Sequence, residues 1–117
     1  MKLSEISFDG PTPIDAYGPG FFRVGGEVVD GGIVLCGHNI LPWTGYADLS
    51  FLAPLARDID VLLVGTGAEP AFPPPAFRDA VEAAGIGVEP MITPSACRTY
   101  NILLSEGRRV AVCLTAL

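Results

Sequence analysis

Ile59-Asp60-Val61-Leu62-Leu63-Val64 is a dense apolar run that stops at Gly65-Thr66-Gly67. A short run without alternation suits a strand buried on both faces, because neither side of its pleat is kept for water. Such a strand needs cover on both sides, and the sequence that follows supplies it. Prolines at 70, 73, 74 and 75 form a stiff loop, and Ala76 to Ala84 reads as a helix. Pro75 suits its first turn and Gly85 its C-terminal end. Gly87 to Met91 reads as a strand, and Thr93-Pro94 opens a second helix ending near Glu106, with Gly107 as its stop. Arg109 to Thr115 (RVAVCLT) closes the chain as a strand. Strand, helix, strand, helix, strand is the order that builds βαβ units with right-handed crossovers on a mostly parallel sheet.

Upstream the pattern differs. Asp48 is positioned to N-cap a short helix carrying Leu49, Phe51, Leu52 and Leu55, which Pro54 should kink or shorten. Before Trp43, short strand candidates alternate with glycine: Ile14 to Tyr17, Phe21 to Val24, Glu27 to Val29, Ile33 to Cys36 and Asn39 to Trp43. Asp30-Gly31 is a hairpin signal, since glycine enters φ > 0 without steric cost. Gly25-Gly26 marks a bend or bulge. The expectation is one domain over 1–117, with a β-meander at about 12–43 followed by a βαβαβ part at about 48–117.

Composition supports a folded domain. The chain has 117 residues, half of them hydrophobic, with 14 glycines and 11 prolines, so it builds one core with many turns. Seven Lys and Arg against thirteen Asp and Glu leave a charge of −6, and the largest basic cluster is the pair Arg108-Arg109. Phosphate backbones and anionic membrane surfaces attract clustered cations, so nucleic acid is not an expected partner and membrane surfaces are disfavoured. No apolar run approaches the ~18 residues that cross a bilayer, so no membrane insertion is expected. Met1 to Ile6 lacks the apolar core of a secretory leader.

Cys36, Cys97 and Cys113 are odd in number and widely spaced, with no CxxC. Small buried thiols in a reducing, cytoplasmic compartment are the expectation, with no metal and no cofactor. Cys36 and His38 offer only a weak two-ligand pattern, and His38 between Gly37 and Asn39 suits a surface turn.

Gly65-Thr66-Gly67 after an apolar strand invites a dinucleotide reading. The third glycine of that fingerprint falls at Pro70, however, and the Gly-Lys-Ser/Thr of a P-loop is absent. Thr93-Pro94-Ser95-Ala96-Cys97-Arg98-Thr99-Tyr100-Asn101 is more informative. With proline at the first helical position Thr93 is the natural cap, and Ser95 is the alternative. Either way Arg98 puts a cation near the helix N-terminus, where the dipole prefers anions. Arg98, Asn101 and Ser105 form a polar stripe; Ala96, Tyr100, Leu103 and Leu104 form the apolar face. If the strands ending at Val64 and Met91 are parallel, Gly65, Thr66, Gly67, Thr93, Ser95, Arg98 and Asn101 meet at one sheet edge, as a candidate small-anion or ligand site. The competing reading pairs Arg98 with Glu69, Asp79 or Glu89 and uses the glycines only for close packing. No acid–base pair accompanies the site and Cys97 has no base partner, so no catalytic residue is assigned.

Phe22-Arg23-Val24-Gly25-Gly26, Leu62-Leu63-Val64-Gly65-Thr66-Gly67 and the stretch from Cys97-Arg98-Thr99-Tyr100-Asn101 to Gly107-Arg108-Arg109-Val110 resemble one family. It is the small domain-of-unknown-function family that includes mitochondrial respiratory complex I assembly factor three. The resemblance implies a single three-layer α/β domain, with a mixed central sheet carrying helices and an extra N-terminal β layer. It also implies binding of partner proteins, not catalysis. Without the N-terminal targeting extension of mitochondrial members, a bacterial, cytoplasmic protein is the expectation. Two functions follow: a non-catalytic protein-binding module of assembly type, or a small-anion or nucleotide binder, even a weak enzyme, built on Gly65-Thr66-Gly67 and Arg98. Trp43 and Tyr46 are the apolar candidates for docking a partner, although Trp43 also suits a core.

Overall fold

The computed structural model describes residues 12–117; the leader reading of Met1 to Ile6 lies outside the described residues. The elements are β1 (Ile14–Gly18), β2 (Phe21–Val24), β3 (Glu27–Asp30), β4 (Ile33–Cys36), β5 (Asn39–Pro42), α1 (Leu52–Leu55), β6 (Val61–Gly65), α2 (Pro75–Ala83), β7 (Gly87–Met91), α3 (Thr93–Ser105) and β8 (Val110–Leu114). Two sheets result: a three-stranded one in the order β1-β2-β3, and a five-stranded one in the order β5-β4-β8-β6-β7. In the larger sheet β6 is parallel to β7 and β8, while β4 runs antiparallel to β5 and β8, so the central sheet is mixed.

Period-two alternation assigns each central side chain to a layer. Leu63 of β6, Val110, Val112 and Leu114 of β8, and Ile33 and Leu35 of β4 face Ala96, Cys97 and Tyr100 of α3 and Phe22 and Val24 of β2. Their neighbours Leu62, Val64, Ala111, Cys113 and Val34 face the opposite way, onto Phe51, Leu55, Phe77 and Val81. The strand expected to be covered on both faces is therefore covered by α1 and α2 on one side and by α3 with the small sheet on the other. The domain is a mixed three-layer α/β fold.

The meander expected over 12–43 divides between the two sheets. β3 pairs only with β2, whereas β4 pairs with β5 and β8. Asp30-Gly31, expected to make a hairpin, instead carries the chain from one sheet to the other. The tight hairpin belongs to Gly25-Gly26, where φ is +57° and +86°. Two consecutive positive φ values are what a type I′ turn needs to match strand twist, and glycine adopts both at low cost. The Asp15 carboxylate then accepts the Gly26 N–H at 2.7 Å.

The helix expected from Asp48 is reduced to four residues, Leu52–Leu55, with Pro54 in its first turn, where the missing N–H has no helical partner to lose. Asp48 does not cap it. Its Oδ1 accepts the Ser50 N–H at 3.0 Å and the Ser50 hydroxyl at 2.6 Å, closing a turn ahead of the helix. Helix α2 ends as its glycine requires: the Gly85 N–H reaches the Glu82 carbonyl and the Ile86 N–H the Val81 carbonyl.

Candidate functional site

Because β6 and β7 are parallel with Gly65 opposite Met91, the loop after β6 and the start of α3 share one edge, as the sequence predicts. Their chemistry there is largely inward. The Thr66 N–H donates to the Met91 carbonyl at 2.9 Å and the Thr93 N–H to the Gly67 carbonyl at 2.8 Å. The Gly67 N–H donates to Thr93 Oγ1 at 2.9 Å, and that hydroxyl donates onward to the Thr115 carbonyl at 2.8 Å. Thr66 Oγ1 donates to the Glu69 carbonyl at 2.8 Å.

Thr93 is fully buried and is the first residue of α3, preceded by Ile92 as the flanking residue; no side chain caps this helix. The capping role expected of Thr93 is thus replaced by a bridge between two loops. Its hydroxyl gains two buried partners there, against one at the helix start. Gly65 is needed for the same junction. A Cβ on it would stand 2.8 Å from Leu114 Cδ2 and 3.0 Å from Thr93 Oγ1.

Asn101 is likewise engaged. Its Oδ1 accepts the Ile14 N–H at 2.9 Å and its Nδ2 donates to the Ile14 carbonyl at 2.8 Å. β1 pairs only with β2, so Ile14 would otherwise leave both groups unpaired on its outer edge. The amide imitates one residue of a neighbouring strand and ties the small sheet to α3.

Ser95 lies half-buried in the first turn of α3, and Arg98 stands exposed one turn on. Arg98 lines a cleft of about 240 Å³ between β1 and α3, together with Asp15, Tyr17 and Cys97. Among the described residues the ion pairs are Arg78–Glu82 and Arg109–Asp60, both at 3.3 Å, so none of Glu69, Asp79 or Glu89 takes Arg98.

All three cysteines are free thiols, with Cys97 and Cys113 buried. Burial pushes the Cys97 thiol up to about 11. Burial raises Cys113, and burial followed by the nearby Asp58 carboxylate raises Cys36. A thiol held protonated is a poor nucleophile and metal ligand. Among the described residues no group of three His, Cys, Asp or Glu side chains is placed to hold a metal ion.

Two features escaped the sequence pattern. Phe72 is 91% exposed within the proline loop before α2, beside Pro70, Pro90 and Met91. Its signal was present as an aromatic residue among prolines, which hold a loop stiff without hiding a side chain. The other is a cavity of about 280 Å³ walled by Trp43, Phe51, Pro42 and Pro54, with Asp48 among its lining residues. Trp43 and Tyr46 are half-buried in one aromatic cluster. Trp43 meets Tyr46, Phe51 and Phe77 edge-on at 5.5, 5.8 and 5.9 Å.

Residues 14–115 match the family model described as a protein of unknown function, DUF498/DUF598. The chain belongs to that family. A DUF498/DUF598 relative from Rhodobacter capsulatus, an uncharacterized protein, is 50% identical over 97% of this chain and 92% of its own length. NADH dehydrogenase (ubiquinone) 1 alpha subcomplex assembly factor 3 of Danio rerio is 34% identical over 97% of this chain and 70% of its own length. The crystal structure of an outer membrane protein from Bartonella henselae superposes with a TM-score of 0.83 at 37% identity, covering 92% of this chain and 96% of that one. The mixed three-layer architecture is therefore shared with DUF498/DUF598 relatives. Among the described residues no helix is long and apolar enough to cross a membrane.

Proposed function

We propose that this chain is a non-catalytic protein-binding module that supports assembly of a larger complex, of the kind named for its vertebrate relatives. The observation that carries this is the 34% identity to an assembly factor across 97% of the chain. Phe72 supports it: a phenylalanine 91% exposed on a proline-stiffened loop offers a partner a large apolar group at little ordering cost. The place of action we assign is the cytoplasm, where its three free thiols persist. Affinity capture of the tagged chain under native conditions is the test. The expected result is repeated recovery of the same subunits, reduced at least tenfold by Phe72→Ser; repeated recovery of no protein partner rejects the reading.

A second, narrower reading keeps a small anion at Ser95 and Arg98, because Arg98 lines an open cleft. Phosphate or carboxylates should then raise the melting temperature of the wild type and not of Arg98→Ala. Flat melting curves across such a panel remove this reading.

A further inference from the structure

The cavity beside Trp43 carries chemistry that assembly by apolar contact does not use. Its walls are aromatic and prolyl, from Trp43, Phe51, Pro42 and Pro54, and Asp48 is the one charged residue lining it. Three edge-on aromatic neighbours hold the indole of Trp43 in place, so the wall is formed before any ligand arrives.

The carboxylate is equally fixed. Asp48 Oδ1 is held by the Ser50 amide and hydroxyl, and Oδ2 accepts only the Thr44 hydroxyl at a long 3.4 Å, which leaves that oxygen room for a further donor. The Ser50 hydroxyl first, and then its amide, hold the Asp48 carboxyl below its usual range, so it stays ionised.

An aromatic wall next to a fixed carboxylate is complementary to an organic cation: the ring attracts it electrostatically and the carboxylate accepts its N–H groups. An anion would be repelled by Asp48. A purely apolar group would cover the carboxylate without pairing it. A net charge of −6 on the whole chain favours approach of a cation further. Among biological cations a guanidinium is planar, weakly hydrated and able to stack on a ring while its fork meets a carboxylate, whereas an ammonium is compact and strongly hydrated.

We propose that the Trp43–Asp48 cavity takes an arginine side chain presented by a partner protein. The proposal rests on the protein-binding reading and names the chemistry of the partner: a basic segment with one arginine inserted between Trp43, Phe51 and Asp48. The cavity has room for one such side chain.

Trp43 is the chain's one tryptophan, so its emission reports on this cavity alone. The probe is an acetylated and amidated Gly-Gly-Arg-Gly-Gly peptide, compared with peptides carrying citrulline or lysine in place of arginine. The expected result is a saturable change in Trp43 emission with the arginine peptide, at least tenfold weaker with citrulline, with lysine and in Asp48→Asn. The asparagine retains an acceptor for the Ser50 amide, and circular dichroism checks that the variant folds. An equal response to citrulline or lysine, or no saturable response to arginine up to ~10 mM, where even a contact of about −3 kcal/mol shows, overturns the proposal. Native capture with Asp48→Asn separates the two readings. Partners kept in full by Asp48→Asn reject the arginine pocket and leave the assembly role standing. Arginine binding without any captured partner does the reverse.

Discussion

The edge formed by Gly65, Gly67 and Thr93 and the cavity formed by Trp43 and Asp48 both lie where the chain leaves the central sheet, and they use their polar groups in opposite ways. At the first, glycines let two loops approach closely, and the amides and the threonine hydroxyl bond to one another. At the second, aromatic rings supply the rigidity while the carboxylate stays on the surface, pinned by its own neighbours but not covered. A glycine-rich loop after a buried strand therefore signals a ligand only if its donors remain unused. Here Thr66, Gly67 and Thr93 give theirs to the protein, as buried donors generally must.

Substitutions at the two places should separate stability from binding. The largest effect is expected for Thr93→Val, which keeps the shape but leaves the Gly67 N–H and the Thr115 carbonyl without their side-chain partner. Two such groups cost about 3 kcal/mol together, read as a drop in the urea midpoint. A loss below ~0.5 kcal/mol would show that the hydroxyl does not hold this edge. Asn101→Ala should cost about 2 kcal/mol, because both edge groups of Ile14 lose their partner. Hydrogen exchange should then speed up in β1 to β3 before it does in the central sheet; uniform loss of protection would contradict the tie between the layers.

Alkaline pH probes the same contrast by another route. The Cys97 thiol is raised from an ordinary 9.0 to about 11, so the folded chain holds a proton that the unfolded chain releases. Its contribution to stability is complete below pH 9 and disappears as pH rises toward 11, and Cys113 and Tyr100, also raised by burial, act in the same direction. Urea midpoints that stay level from pH 8 to 11 would contradict this. The smallest effect is expected for Asp48→Asn, whose exposed side chain should change stability by less than about 0.5 kcal/mol, although it removes the proposed arginine contact. A large fall in melting temperature would move Asp48 to the structural side of the comparison.

The central layers were legible because period and length are local properties. The strand over Val61–Gly65, the helices after Pro75 and Thr93 and the closing strand all fall close to their sequence signals. The exchange of hairpins between Asp30-Gly31 and Gly25-Gly26 was not legible. Both pairs permit a turn, and which one joins paired strands depends on whether β3 or β4 finds β8. Asn101 appeared as one member of a polar helical stripe, and nothing nearby in sequence announces that Ile14, 87 residues away, would need both ends of its amide.

The sequence by itself determined which segments are strands and helices, that β6 is covered on both faces, and the family to which the chain belongs, because burial pattern, proline and glycine act over a few residues. Only the tertiary structure decided which polar groups remain available. Hydrogen bonds such as Thr93 to Gly67 and Thr115 join residues more than twenty positions apart, and a group's availability depends on what the folded chain brings within 3 Å of it. The glycine loop that looked most like a site gives its donors to the fold, and the aspartate that looked like a helix cap is the charged group left on the surface.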